Sequence, residues 1–271
     1  FLSRMSHDIR TPLNGIIGLL KIDAKHPDDR EQVDKNREKM LVAANHLLAL
    51  INDVLQMSKL ESGELILAHD VVDLYKLSQD VLTIMEQRAA EAGVNMEYDR
   101  SSDKVEYTWV YASALHVRQI FLNVYGNCVK YNQVGGKVKT RLENLGVKDG
   151  IVTYRWIISD TGRGMSKDFL QHIFEPFAQE HTDARSVYNG TGLGMAIVYT
   201  LVRKMNGTIE VSSIEGKGST FIITLPFEVA KETEKAESLE ADETPSICGL
   251  HLLLAEDNEL NAEIVMTILK E

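Results

Sequence analysis

Apolar residues in the first sixty positions recur at steps of three and four. One run is Leu2, Met5, Ile9, Leu13, Ile16 and Leu20; the next is Leu41, Ala44, Leu48, Ile51 and Leu55, with Met57 beside them. That spacing is the seam of a helical bundle. His26-Pro27-Asp28-Asp29 supplies turn residues between the runs. The pattern predicts an antiparallel helical hairpin. A hairpin alone has little core, so its seam predicts a second copy and a four-helix bundle. From residue 70 to about 229 the pattern changes to mixed strands, helices and glycine loops. Val117–Tyr131 reads as a helix, with Ile120, Val124 and Cys128 four apart. Thr153–Ser159 reads as a strand, Ala196–Met205 as an apolar helix and Phe221–Pro226 as a closing strand. Residues 231–243 hold six acids and two lysines and almost nothing apolar, a solvated linker. Leu250–Ala255 then reads as a short buried strand before a helical start. Four segments are expected: a hairpin over 1–66, an α/β domain over 70–229, an acidic linker over 230–248, and the opening of another domain over 249–271.

Composition narrows the class. The chain has 271 residues, 44% hydrophobic and 25% charged, which is globular and neither disordered nor fibrous. At about 150 residues per domain this is room for about two domains. A net charge of −11 argues against nucleic acid as a partner, because phosphate binding needs a basic face. The longest uncharged run, Ser186–Val202, has 17 residues including three glycines. A membrane span needs about 20 mostly apolar residues, so none is expected, and no signal peptide is visible. The first residue is Phe, so a piece of a longer protein is expected. Two cysteines, Cys128 and Cys248, fit a reducing compartment.

Candidate chemistry lies off the seam. At roughly 100° per residue, His7 points about 160° away from the seam, with Thr11 about 40° from His7. Asp8 flanks them, and Pro12 removes the hydrogen bond to the Asp8 carbonyl. A lone exposed histidine is an ordinary surface residue; a neutral imidazole beside a carboxylate is also a good nucleophile. Asn123 and Asn127 share one helix face, with Lys130 after them. Two amides beside a lysine suit Mg²⁺ on a triphosphate, since Mg²⁺ takes few protein ligands. Read alone, an amphipathic helix with incidental asparagines is the plainer account. Asp160-Thr161-Gly162-Arg163-Gly164-Met165 follows a strand, as a close approach to a ligand or as a tight turn with a capping Asp. Asn189-Gly190-Thr191-Gly192-Leu193-Gly194-Met195 opens an apolar helix, where free backbone N–H groups can cradle phosphate. No Gly-Lys-Ser/Thr follows, so it is not a Walker loop. It follows no strand either, which disfavours a dinucleotide fold.

The string Phe1–Asn14 (FLSRMSHDIRTPLN) resembles the phosphoacceptor box of sensor histidine kinases with a HisKA-type dimerisation domain. The resemblance implies that His7 is the phosphorylated nucleophile and Asp8 its general base. Thr11 would position water when a phosphorylated partner is dephosphorylated. The second segment is similar to the Bergerat-type ATP-binding fold of those kinases. Its asparagine box is Asn123, Asn127, Lys130 and Tyr131; its first glycine box is Asp160, Gly162 and Gly164. Phe174-Glu-Pro-Phe177 is its Phe box, and Gly190, Gly192 and Gly194, with Thr191 and Leu193 between them, its second glycine box. Gly216-Lys-Gly-Ser-Thr220 is its final turn. By resemblance, Asp160 binds the adenine amino group with Thr220 assisting, Asn127 holds Mg²⁺ and Lys130 touches phosphate. Residues between Phe177 and Gly190 would form a lid carrying Arg185 to the γ-phosphate. Gyrase-type and chaperone relatives place a glutamate at Asn123 to activate water. An amide is no general base, which favours transfer to histidine over hydrolysis.

The sequence departs from that pattern in places. Cys128 stands where alanine is usual and Met195 where leucine is. Ala112-Ser113 replaces Gly-Asp, and Ser113 is expected to cap the following helix. The lid carries one extra residue before Gly190. Leu252–Asn258 resembles the first strand and acidic pair of a receiver domain, in which Glu256 and Asp257 would hold Mg²⁺; the acceptor aspartate is not in this chain. The expected chain is thus multidomain. An all-α hairpin, dimeric as a four-helix bundle, precedes an α/β two-layer sandwich of Bergerat type. Its expected activity is ATP-dependent autophosphorylation of His7 with phosphorelay to a receiver, its own or a separate one. ATP and Mg²⁺ are the expected cofactors, and a cytoplasmic segment is expected, in a family often anchored in the membrane. An ATP-hydrolysing machine of the same fold and a degenerate kinase signalling by conformation are the rivals.

Overall fold

The computed structural model describes residues 2–99, 107–180, 191–231, 255, 257 and 259–268; for a few helical residues, His7 among them, only the backbone is described. Two helices come first, α1 (Leu2–Lys25) and α2 (Arg30–Glu61). α1 runs unbroken through Pro12. Asp29 caps α2 by accepting from the Gln32 backbone N–H at 3.1 Å. Asn36, buried, donates to Asp23 across the hairpin.

The remaining elements are β1 (Asp70–Asp73), α3 (Leu74–Glu91), β2 (Asn95–Asp99), β3 (Trp109–Ala112), α4 (Ala114–Lys130), β4 (Lys137–Lys148), β5 (Ile151–Asp160), α5 (Lys167–His172), α6 (Gly194–Lys204), β6 (Thr208–Ile214) and β7 (Gly218–Val229). Among the described residues they form a seven-stranded sheet in the order β1-β3-β7-β5-β4-β2, with β6 also paired to β7. The pairings are antiparallel except β2 with β4. Alternate residues of β5 (Val152, Tyr154, Trp156, Ile158) and β7 (Phe221, Ile223, Leu225, Phe227) are buried. That two-residue period is a sheet with one covered face. α3, α4 and α6 contribute the buried residues of the second layer. The Trp156 ring, 4.9 Å from that of Phe121, joins sheet to helix. This is the expected α/β two-layer sandwich.

α2 carries two apolar stripes rather than one. Leu41, Leu48, Ile51 and Leu55 are exposed, as the seam of an uncovered hairpin should be. Met57 does not belong with them: it is buried, with Leu60, in the core of the α/β domain, and Val54 packs against that core. The hairpin and sheet therefore form one compact unit, Phe1–Lys231. Glu232–Glu271 is a second unit, whose described helix is α7 (Glu259–Ile268). The strand expected over Leu250–Ala255 and the residue Glu256 lie outside the described residues.

By length and composition α2 also passes as a helix able to cross a membrane, with a mean hydropathy of 1.3. This differs from the expectation drawn from uncharged runs, because Asp53 interrupts the run there. The hydropathy follows from apolar residues on two faces. Leu50 is 2% exposed and Leu48 58%. Leu50→Ala should lower unfolding stability by about 2–5 kcal/mol through cavity formation. Leu48→Ala should change unfolding of the single chain by less than about 0.5 kcal/mol. It should instead weaken self-association in sedimentation; unaltered association would mean that no second copy covers the seam.

Candidate nucleotide site

A cavity of about 520 Å³ opens where the end of β5 meets the start of β7, beside α4 and α6. This is within the usual range for small-molecule pockets, roughly 300–1,000 Å³. α4 contributes Asn123, Asn127 and Lys130, and Tyr131 caps its end. Helical periodicity separates functions: Val124 and Cys128, each next in sequence to an asparagine, are buried in the core. The Asn123 amide donates to the Gly194 carbonyl at 3.4 Å, tying α4 to the first turn of α6.

Asp160 is the last residue of β5. Its Oδ1 accepts from the Gly162 N–H at 2.8 Å and the Ser219 N–H at 3.3 Å. Burial pushes its carboxyl above the ordinary value, with these two N–H groups and the Cys128 thiol pulling the other way. Burial likewise pushes the Cys128 thiol well up, and the Asp160 charge adds to it. A carboxylate in such a partly dry notch binds a donor N–H more strongly than in water.

Close backbone approach shapes the floor. A Cβ on Gly162 would lie 2.5 Å from the Tyr131 carbonyl oxygen. A Cβ on Gly192 would lie 2.8 Å from the Phe177 Cα, and its φ of +69° is costly for any side chain. Phe177 itself has a φ of 64°, and its N–H donates to the Gly192 carbonyl at 2.9 Å. The Phe box and second glycine box are therefore joined backbone to backbone.

Nine residues singled out in the sequence line this one cavity: Asn123, Asn127, Lys130, Tyr131, Asp160, Gly164, Thr191, Gly192 and Gly194. Gly162, Leu193 and Thr220 do not. Leu193 is buried in the core. The β7 residues at the wall are Ser219 and Phe221; Thr220, between them, pairs its hydroxyl with that of Ser159 at 3.0 Å. Strand alternation sends neighbours to opposite faces. Ser113 takes the N-cap position of α4 but caps nothing through its side chain, because its hydroxyl meets His116 Nδ1 at 2.7 Å. Arg185 and Gly190 lie outside the described residues. On α1, Asp8 is half-buried and Thr11 exposed.

The sequence reading missed Arg163, which sits 4.6 Å from the centre of the Tyr131 ring; Lys130 Nζ lies 5.0 Å from the centre of the same ring. The signal for Arg163 was there, inside the glycine box. It also missed His46, Ala49 and Asp53 of α2, which line the cavity from the hairpin. Nothing local marks them. An acid on the outer face of a helix reads as a solvated position.

The chain is similar to known proteins in both its hairpin and its α/β domain. Residues 1–63 match the His Kinase A (phospho-acceptor) domain. Residues 112–229 match the histidine kinase-, DNA gyrase B-, and HSP90-like ATPase. The autoinducer 2 sensor kinase/phosphatase LuxQ of Vibrio harveyi is 32% identical over 278 residues, covering 100% of this chain and 32% of that protein. The signal transduction histidine-protein kinase BarA of Escherichia coli (strain K12) is 31% identical, covering 100% and 29%. The chain thus spans about a third of the length of these relatives. Full-length ShkA solved in complex with AMPPNP is 33% identical with a TM-score of 0.61, covering 84% of this chain and 46% of that one.

Asp160 gives a pH prediction. Its folded carboxyl titrates higher than in the unfolded chain, so between the two values the folded state holds more protons. Stability must fall as pH rises through that window. Asp160→Asn removes this slope. Across pH titrations of thermal unfolding, the variant should gain on the wild type as pH rises above the usual carboxylate range; parallel curves would refute the assignment.

Proposed function

Since the chain belongs to the sensor histidine kinases, with their phosphoacceptor and ATPase domains on one polypeptide, we propose that it transfers the γ-phosphoryl of ATP to His7 and passes it on to a receiver aspartate. One observation carries this reading. A single pocket gathers a desolvated carboxylate, two helix-borne amides, a lysine and a glycine-lined helix N-terminus. These are the complementary groups for an adenine N–H donor at one end and phosphates at the other.

The residues divide the task. Asp160 accepts from the adenine amino group, while the N–H groups it already holds fix its orientation. The Gly192–Gly194 segment leads phosphate to the N-terminus of α6, where unpaired N–H groups and the helix dipole favour an anion. Lys130 adds a cation. The donor set also fits Mg²⁺: the Asn127 amide oxygen would hold it, together with the phosphates it accompanies. When bound, Mg²⁺ neutralises phosphate charge. Asn123, an amide bonded to Gly194, orients and does not abstract protons. The His7 imidazole attacks the γ-phosphorus; the N–P bond forms, the bond to the β-phosphate oxygen breaks and ADP leaves. Asp8 accepts the ring proton. Positioning supplies most of the acceleration, as expected for phosphoryl transfer.

The exposed stripe of α2 supports a homodimer through the hairpin. Segment 249–271, with Glu256 and Asp257, is read as the opening of a receiver domain, and the phosphate goes to the aspartate of a complete receiver, its own or a separate one. Thr11, exposed one turn beyond His7, orients water for the reverse removal of phosphate from that receiver. The use of ATP and the presence of only two cysteines support a cytoplasmic reading of this segment.

Incubation with Mg²⁺ and γ-labelled ATP should leave acid-labile, base-stable label on the wild type and none on His7→Gln. Equal release of free phosphate by both proteins would support an ATPase instead. Thr11→Ala should keep autophosphorylation but slow the loss of phosphate from a cognate receiver; an unchanged rate would remove the phosphatase role.

A further inference from the structure

The phosphoacceptor hairpin forms part of the nucleotide pocket. His46, Ala49 and Asp53 of α2 line the same cavity as Asn127 and Asp160. Asp53 Oδ2 accepts from the Thr191 hydroxyl at 2.8 Å. Thr191 Oγ1 in turn accepts from the Leu193 N–H at 3.1 Å, at the start of α6. A carboxylate from the hairpin is thus connected through one hydroxyl to the positive end of that helix. The same helix end receives the phosphates in the function proposed above.

Other contacts brace α2 there. The Gln56 and Gln119 side-chain amides pair with each other. Lys204 Nζ donates to the Leu65 carbonyl just beyond α2. Met57 and Leu60 are buried in the core of the ATPase domain. This docking delivers one negative charge to the phosphate end of the cavity. The cations that line it, Lys130 and Arg163, both lie over the Tyr131 ring.

We propose that Asp53 is an autoinhibitory latch: docked on Thr191, it occupies the phosphate end of the pocket, so hairpin docking and MgATP binding oppose each other. The latch rests on the reading of this cavity as the MgATP site. Two anionic groups at one helix terminus repel, and here they share a low-dielectric space. Burial pushes the Asp53 carboxyl up from its ordinary value, with the Thr191 bond opposing. Burial in the docked state thus works against the charged carboxylate, and the Thr191 bond works for it. By linkage, whatever docking costs nucleotide affinity, nucleotide costs docking in equal measure. Substrate arrival then loosens α2 from the ATPase domain.

The test uses the whole chain with Mg²⁺ and AMPPNP, by calorimetry. Asp53→Asn keeps an oxygen to accept from Thr191 and loses only the charge. It should bind about 3–10-fold more tightly than the wild type, a range of roughly 0.6–1.4 kcal/mol. Asp53→Ala should gain at least as much. In the wild type the analogue should also speed amide exchange across residues 46–61. Affinity within twofold, weaker binding by both variants (as for a Mg²⁺ ligand), or unaltered exchange on tight binding would each overturn the latch. Those failures leave wild-type binding intact. If neither wild type nor variants bind AMPPNP, the nucleotide reading itself falls, and the latch with it.

Discussion

Everything at the nucleotide site depends on how closely three backbones converge around Asp160. The end of β5, the end of α4 and the start of β7 meet within one hydrogen-bonded knot. A Cβ on Gly218 would lie 1.9 Å from the Asp160 carbonyl oxygen, and one on Gly162 would lie 2.5 Å from that of Tyr131. Glycine alone allows such an approach. It brings the Gly162 and Ser219 N–H groups onto one carboxylate oxygen, which keeps a half-buried acid oriented despite its desolvation. With Asp160 fixed, the α4 asparagines face the same space, because the packing of Val124 and Cys128 sets the rotation of the helix.

The second organising feature is that α2 has two partners. Its exposed stripe is uncovered in the single chain, while Val54, Met57 and Leu60 turn toward the ATPase domain. The two stripes run along one helix at different angles, so a single element can hold a dimer and dock a catalytic domain at once. Asp53 lies immediately before Val54, where the docking stripe begins, and its carboxylate lines the cavity. The hairpin therefore touches the pocket on α2 while carrying His7, the proposed acceptor, on α1.

Much of the site was legible because its chemistry is written locally. The i, i+4 amides, the aspartate ending a strand and the glycines opening a helix are short-range patterns with direct physical meaning. Nine such residues do line one cavity. Strand phase was harder: Ser219 and Thr220 differ by one position, and register with β5 decides which of them faces the pocket. Ser113 was read as a side-chain cap, but the buried His116 ring claims its hydroxyl. Met57 fits the spacing of a seam, and only packing shows that it belongs to another core.

The class of each described segment is readable from the sequence alone: period-3.5 helices, alternating strands, and short asparagine and glycine motifs of the kind that suits phosphate and base recognition. These follow from side-chain polarity and from backbone rules acting over a few residues. The tertiary structure alone decided which faces meet. The Asp53–Thr191 contact joins residues 138 positions apart, and no periodicity spans such a distance. It exists because burial of Met57 and Leu60 sets how α2 lies against α6, and that packing, rather than any motif, puts a hairpin carboxylate beside the glycine-lined start of α6.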